Sequence, residues 1–377
     1  MDFDQLLQRA KIAIENDMPF ALYRKPQISS FRNEKLHGIF QKNDTLYHLE
    51  NFQDSGFVFA PFDFPKKQAL FIPEEKSERF DVEIPEISLP RKKKTEINPS
   101  EKEREQHLNL VSSGIEKIKT SELQKTVLSR KQNIEGLTKN PISIFKNALS
   151  IYPSAMVYLW FHPKVGTWLG ATPETLLSVE RNQFKTMALA GTKPVVENKN
   201  PEWTKKEFDE QDFVTLDIKE KVKGYLEGLK ISEVHDYRAG SIWHLKTDIS
   251  GKLTSENQLE TIVKNLHPTP AVCGTPRDAA QKFILKNENY NREFYAGFFG
   301  ELNLSHRSYR SSRRKNQENR QFSSIKKQTS LFVNLRCMKF SENFAELYLG
   351  GGITAESQPE AEWQETLLKA ETMLKVL

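Results

Sequence analysis

Apolar residues recur at helical spacing between Asp4 and Asn16, through Leu6, Leu7, Ile12 and Ile14, and predict a first helix. Short aromatic stretches follow, IFQKND and GFVFAPF, each bounded by turn-forming residues in the manner of strands. Residues 90–103 are charged and proline-flanked, with RKKK at 91–94, and predict a solvated linker. The helical pattern returns over residues 104–118. Beyond it, TVLSRKQNI, AMVYLWF, GTWLGAT, TLLSVE and KTMALAG predict strands, and residues 203–227, 255–265 and 359–376 predict helices. Strands often follow one another with no helix between them, which favours an α+β class over strict βαβ winding. No fixed-period repeat is present.

One stretch breaks this alternation. Ser305 to Ser330, SHRSYRSSRRKNQENRQFSSIKKQTS, is basic, serine-rich and nearly free of aliphatic residues, and it separates FFGELNL from LFVNLRCMKF. It predicts a basic loop insertion at the end of a hairpin. Phosphate attraction makes nucleic acid a second reading. Only Tyr309 and Phe322 offer stacking surface there, so no nucleic-acid partner is expected.

Composition adds a few limits. A net charge of +5 over 377 residues suits a small anionic ligand and calls for no polyanion. Cys273 and Cys337 are too few for a disulfide framework or for a zinc site unaided. MDFDQLLQRAK lacks the apolar stretch of a signal peptide, and no apolar run approaches the roughly 18 residues of a membrane span. The expectation is a cytoplasmic protein with no membrane partner, and monomer is the default state.

Candidate chemistry gathers in the second half. GATPET (170–175) places Glu174 after a Thr-Pro turn at a strand end. ALAGT (188–192) and YLGGGIT (348–354) are glycine turns whose backbone amides can hold a carboxylate. LHPTPAVCGTP (266–276) is a proline-studded loop containing His267. Two predicted helices carry acids on one face: Glu207 and Glu210 in one, Glu362 and Glu365 with Lys369 in the other. If both faced one pocket, their carboxylates would suit Mg²⁺, which takes one or two protein carboxylates with substrate and water completing its shell. Each of these glutamates also fits a plain solvated position.

From Ser121 onward these motifs resemble the chorismate-utilising enzymes, the family of isochorismate, salicylate, anthranilate and aminodeoxychorismate synthases. KTVLSR (125–130), GATPETLL, ALAGT, KEFDEQDFV (206–214), SIWHL (241–245) and LHPTPAVCGTP occur in the family's order. REFYAGFFGE (292–301), NLRC (334–337), LGGGIT and EWQETLLKA (362–370) continue it. The resemblance implies one α+β domain over residues 1–377, with two orthogonally packed antiparallel sheets flanked by helices. Residues 1–100 would be its variable N-terminal part and 101–377 its catalytic part. It implies that Glu210 and Glu365 hold Mg²⁺, with Glu362 near the metal or its waters. It assigns substrate binding to Gly191, Thr192, His244, Ala271, Arg336, Gly351, Gly352 and Lys369. Tyr295 and Glu301, in the variable end of their motif, receive no role.

Four positions point to a branch. Lys125 stands where the ammonia-using members resemble Q-V-x-L-S, and a lysine there can deprotonate water if its amine is made less basic. Ala190 replaces the nucleophilic lysine of the P-I-K-G-T motif. FVTLDIKEKVKG lacks the L-x-R-N-D-x-G signature, and HPTPAV replaces the amine-transferring loop. The resemblance therefore implies an isochorismate synthase that adds water at C2 of chorismate and expels the C4 hydroxyl. Lys125 would be the general base and Glu174 the general acid. No glutamine amidotransferase subunit is expected. The product would feed menaquinone or siderophore formation. A salicylate synthase, which also eliminates pyruvate, is the nearest alternative; a non-catalytic chorismate-binding relative is a further one.

Overall fold

The run 156–161 is apolar at every position, and the fold explains why. Met156, Tyr158 and Trp160 enter one buried cluster, while Val157, Leu159 and Phe161 enter another. Side chains alternate across a strand, so a strand covered on both faces reads as a continuous apolar run. The first cluster lies between two sheets: Phe59 of the strand Gly56–Ala60 stacks on Trp160, ring centroids 4.6 Å apart, and on Phe294. The second cluster lies under helices.

The computed structural model describes residues 1–26, 34–88, 97, 99–136, 140–196, 199–239, 242–309, 323–341 and 344–377. Among them a nine-stranded antiparallel sheet runs in the order Gly274–Thr275, Lys125–Glu135, Phe344–Ile353, Cys337–Phe340, Gly166–Thr172, Met156–His162, Phe20–Arg24, Lys35–Gln41, Ser77–Glu83. A ten-stranded sheet runs Leu226–Ile231, Ile242–Leu253, Gln183–Pro194, Thr175–Glu180, Ser323–Val333, Phe298–Tyr309, Gly56–Ala60, Leu70–Pro73, Tyr47–His48, and its tenth strand, His235–Ala239, pairs off this path with Ile242–Leu253. Residues before 100 thus supply strands to both sheets, and the N-terminal part is woven into the same body as the motif-bearing part.

Seven helices flank the sheets among the described residues: α1 (Phe3–Glu15), α2 (Glu101–Thr120), α3 (Pro141–Ile151), α4 (Lys205–Val222), α5 (Leu259–Leu266), α6 (Arg277–Asn287) and α7 (Pro359–Leu374). Leu6 of α1, Phe145 of α3 and Met373 of α7 fill the second cluster against the nine-stranded sheet. The α+β expectation holds. Sequence pattern missed α3, although Ile144, Phe145, Ala148 and Leu149 recur at helical spacing after the Asn140 cap, and α6, whose apolar stripe is weak. It also placed the linker over residues that α2 begins to occupy: Ser100 caps α2, its side chain and that of Glu103 bonding each other's backbone N–H.

The expected loop 305–330 is corrected at both ends. Strand pairing continues to Tyr309 and resumes at Ser323, with His306 opposite Lys326 and Leu304 opposite Gln328. Ladder bonds use the backbone, so a polar sequence does not prevent them. The buried Glu301 also ties this hairpin down, accepting from Tyr23 Oη (2.7 Å), Lys25 Nζ (2.7 Å) and His306 Nε2 (3.0 Å). The middle of the expected loop lies outside the described residues.

Candidate active site

The strand Gln183–Pro194 loses register with Ile242–Leu253 between Ala190 and Lys193, so Gly191 and Thr192 bulge out of the ladder. Gly191 has φ +67°, a left-handed conformation that favours glycine, and an added Cβ would stand 3.2 Å from the Trp203 ring. His244, on the neighbouring strand, binds this bulge through Nδ1, 2.7 Å from the Gly191 carbonyl oxygen. A carbonyl only accepts, so Nδ1 carries the proton and Nε2 is left as an acceptor. Arg336 supplies the donor there at 2.7 Å. Burial, with the Arg336 charge adding to it, pushes the His244 imidazole down to about 3. The ring is therefore neutral at physiological pH and orients the guanidinium. Arg336 itself has φ +48°, uncommon for a side chain of this size and typical of strained functional positions.

Two helices close on this wall. On α4, Glu207, Glu210, Val214 and Ile218 recur at three- to four-residue spacing; the apolar pair packs into the core and the acids reach the cavity. On α7, Glu362, Glu365 and Lys369 share a face in the same way. Between them run Gly351 and Gly352. A Cβ on Gly351 would lie 3.3 Å from Glu362 Oε2 and 3.5 Å from Glu365 Oε1. One on Gly352 would lie 3.2 Å from Glu210 Oε1 and 3.1 Å from Lys125 Cε. Gly351 thus lies against Glu362 and Glu365, Gly352 against Glu210, and all three glutamates line the same cavity.

Each acid has a partner. Lys125 Nζ is 2.5 Å from Glu210 Oε1, Lys369 Nζ is 2.6 Å from Glu365 Oε1, and Ser357 Oγ donates to Glu362 Oε1 at 2.6 Å. Lys369 also donates to the Gly350 carbonyl at 2.8 Å. Among the described residues, no three His, Cys, Asp or Glu side chains are gathered closely enough to cage a metal by themselves. The hard oxygen donors beside a space that side chains would fill still fit a cation that keeps substrate and water as ligands.

Glu174 sits where the chain crosses from one sheet to the other, between Gly166–Thr172 and Thr175–Glu180. Burial drives its carboxyl up to about 7, while the charges of Arg336 and Lys125 act on it in the opposite direction. That is the behaviour of an acid held protonated near neutral pH.

One cavity is lined by Glu174, Gly191, Thr192, Glu210, His244, Ala271, Arg336, Gly351, Gly352, Glu362, Glu365 and Lys369. Of the residues given a catalytic, binding or metal role from the sequence, Lys125 alone does not line it directly; its amine lies behind Gly352 on Glu210. Sequence reasoning gave no site role to Val127, Val272, Tyr295 and Tyr348, which also line the wall. Tyr295 is 3 % exposed and stacks on Tyr348 with centroids 5.4 Å apart. Its place in YAGFFGE was the only available signal.

The fold of two antiparallel sheets flanked by helices is shared with known proteins. Residues 66–310 match the family described as chorismate binding enzyme, and residues 322–375 match a second family of that description. The chain belongs to the chorismate-binding enzymes. It is 27% identical over 384 residues to isochorismate synthase EntC of Escherichia coli strain K12, covering 97% of this chain and 88% of that protein. It is 28% identical over 342 residues to isochorismate synthase DhbC of Bacillus subtilis strain 168, covering 84% and 79%. In fold it is similar to the menaquinone-specific isochorismate synthase MenF of Escherichia coli, with a TM-score of 0.71, 22% identity and coverage of 95% and 88%. Anthranilate synthase component I of Streptococcus pneumoniae TIGR4 shares the fold at a TM-score of 0.63, 18% identity and coverage of 94% and 92%. No described helix is long and apolar enough to cross a membrane.

Proposed function

We propose that this chain is an isochorismate synthase, an isomerase that converts chorismate to isochorismate. The observation that carries the reading is the pairing, in one site, of a buried carboxyl raised to about 7 with a buried lysine whose charge acts on it. Lys125 takes a proton from water as the water oxygen bonds to C2 of the ring. The two ring double bonds each move by one position, and the C4 hydroxyl departs as water with a proton from Glu174. One water enters and one leaves, so the reaction is an isomerisation. Binding of a ring carboxylate falls to Arg336, set by His244, and to the backbone at Gly191–Thr192. Glu210 and Glu365, with Glu362 beside them, would hold Mg²⁺, which would neutralise and orient the substrate carboxylate. No amidotransferase subunit is needed, because Lys125 and Ala190 leave no role for ammonia.

Incubating the purified protein with chorismate and Mg²⁺, and identifying the product by chromatography and mass, tests this. Accumulating isochorismate is expected. Salicylate formed without a second enzyme would reassign the chain to a lyase-active synthase, and a product containing nitrogen would remove the proposal.

A further inference from the structure

Arg292 lies outside the cavity, 2 % exposed, and its guanidinium meets four acceptors. It donates to the Val127 carbonyl at 2.6 Å and to the Val272 carbonyl at 3.1 Å. Its Nε and Nη2 lie 2.7 and 2.5 Å from the two oxygens of Glu288. Glu288 Oε1 in turn accepts from Ser129 N at 2.8 Å and Ser129 Oγ at 2.7 Å. Val127 is two residues from Lys125 on the same strand, and Val272 follows Ala271. Both valines line the cavity, from different walls. The two walls also meet directly, where the Val127 N–H donates to the Cys273 carbonyl at 2.8 Å.

We propose that Arg292, held in place by Glu288, is a positioning residue that fixes the strand bearing Lys125 against the loop bearing Ala271. The inference rests on the reading of Lys125 as the base. Three observations favour this role over simple core filling. Burying an ion pair is costly, and hydrocarbon fills a core as well or better. The contacts go to backbone carbonyls of the two walls, which side-chain packing does not require. A planar fork can satisfy acceptors in several directions at once, which the single ammonium of lysine cannot. A displacement of about 1 Å between base and substrate is enough to cost on the order of 100-fold in rate.

The test uses Glu288→Gln, which keeps shape and loses charge, alongside Arg292→Lys. Chorismate kinetics, thermal unfolding and amide hydrogen exchange are measured on the full chain with Mg²⁺. The expected result for Glu288→Gln is a fall in kcat of roughly 10- to 100-fold with KM within about threefold. Exchange should rise at 125–129 and 269–274 in protein still folded at the assay temperature. Activity within twofold of the parent in both variants would overturn the role. So would a loss that merely follows the folded fraction. If the parent makes no isochorismate, the assignment of function fails instead, and exchange alone then decides: unchanged protection at both segments in Glu288→Gln sinks the clamp.

Discussion

Lys125 Nζ lies 2.5 Å from Glu210 Oε1, so the proposed base and a proposed metal ligand are partners in one partly buried ion pair. Lys369 and Glu365 repeat the relationship across Gly351 and Gly352, at 2.6 Å. An ammonium and a divalent cation compete for the same carboxylate oxygen. A cation drawn to Glu210 would loosen its hold on Lys125 and leave the amine available to water.

Removing one competing ammonium should strengthen metal binding. Lys125→Met abolishes turnover on this account and tightens Mg²⁺, by roughly tenfold if the lost repulsion is about 1.4 kcal/mol in a partly buried site. Calorimetric titration of Mg²⁺ into the variant and the parent reads this directly. Equal or weaker affinity in the variant would show that the lysine does not contest the site.

The Glu174 carboxyl gives a pH limb. Burial raises it to about 7 against the pull of Arg336 and Lys125, and the acid works only in its protonated form. Turnover should therefore decline as pH rises through about 7 and approach tenfold per unit above it. The stability linkage has the same direction. An unfolded carboxyl titrates near 4.5 and the folded one near 7, so the folded state binds the extra proton between them. The stability this provides is whole below 4.5 and is lost as pH climbs through 7. A kcat profile flat from pH 6 to 9 would argue against Glu174 as the acid.

His244 should act through Arg336. With its Nδ1 proton on the Gly191 carbonyl and Nε2 taking a bond from Arg336, it holds the guanidinium toward the cavity. His244→Ala frees that arginine and should raise chorismate KM by roughly tenfold, the effect of losing about one hydrogen bond to a charged group. kcat should change less. Because the imidazole stays neutral down to about 3, it should add no limb to the profile above pH 5. A new limb near pH 6 in the parent would require a different histidine state.

The α+β class and the strands around the site were legible because both-face burial leaves continuous apolar runs such as AMVYLWF, and because glycine and proline mark the turns. Most cavity residues could be named from motif order. Their pairing could not. Lys125 and Glu210 stand 85 positions apart, and nothing local in KTVLSR or KEFDEQDFV says that the two side chains meet. Arg292 was passed over for the same reason: a residue that bonds backbone carbonyls leaves no mark on the partners' side chains. The two ends of the expected loop, 305–309 and 323–330, were misread because their ladder is held by backbone and by Glu301, whereas pattern reading looks for apolar alternation.

Gly352 offers the sharpest test of the shared geometry. It has no need of a left-handed backbone; what it supplies is space, since a Cβ there would stand 3.1 Å from Lys125 Cε and 3.2 Å from Glu210 Oε1. Gly352→Ala should fold, because the obstructing atoms belong to two side chains that can swing aside. Swinging aside separates Lys125 from Glu210 and moves the proposed base, so kcat should fall by roughly 100-fold. Mg²⁺ affinity should change with it, because the same methyl displaces a proposed ligand oxygen. The measurements are turnover, metal titration and melting temperature on one preparation. A variant that melts near the parent temperature and keeps its rate would show that the strand of glycines is not packed against the working groups.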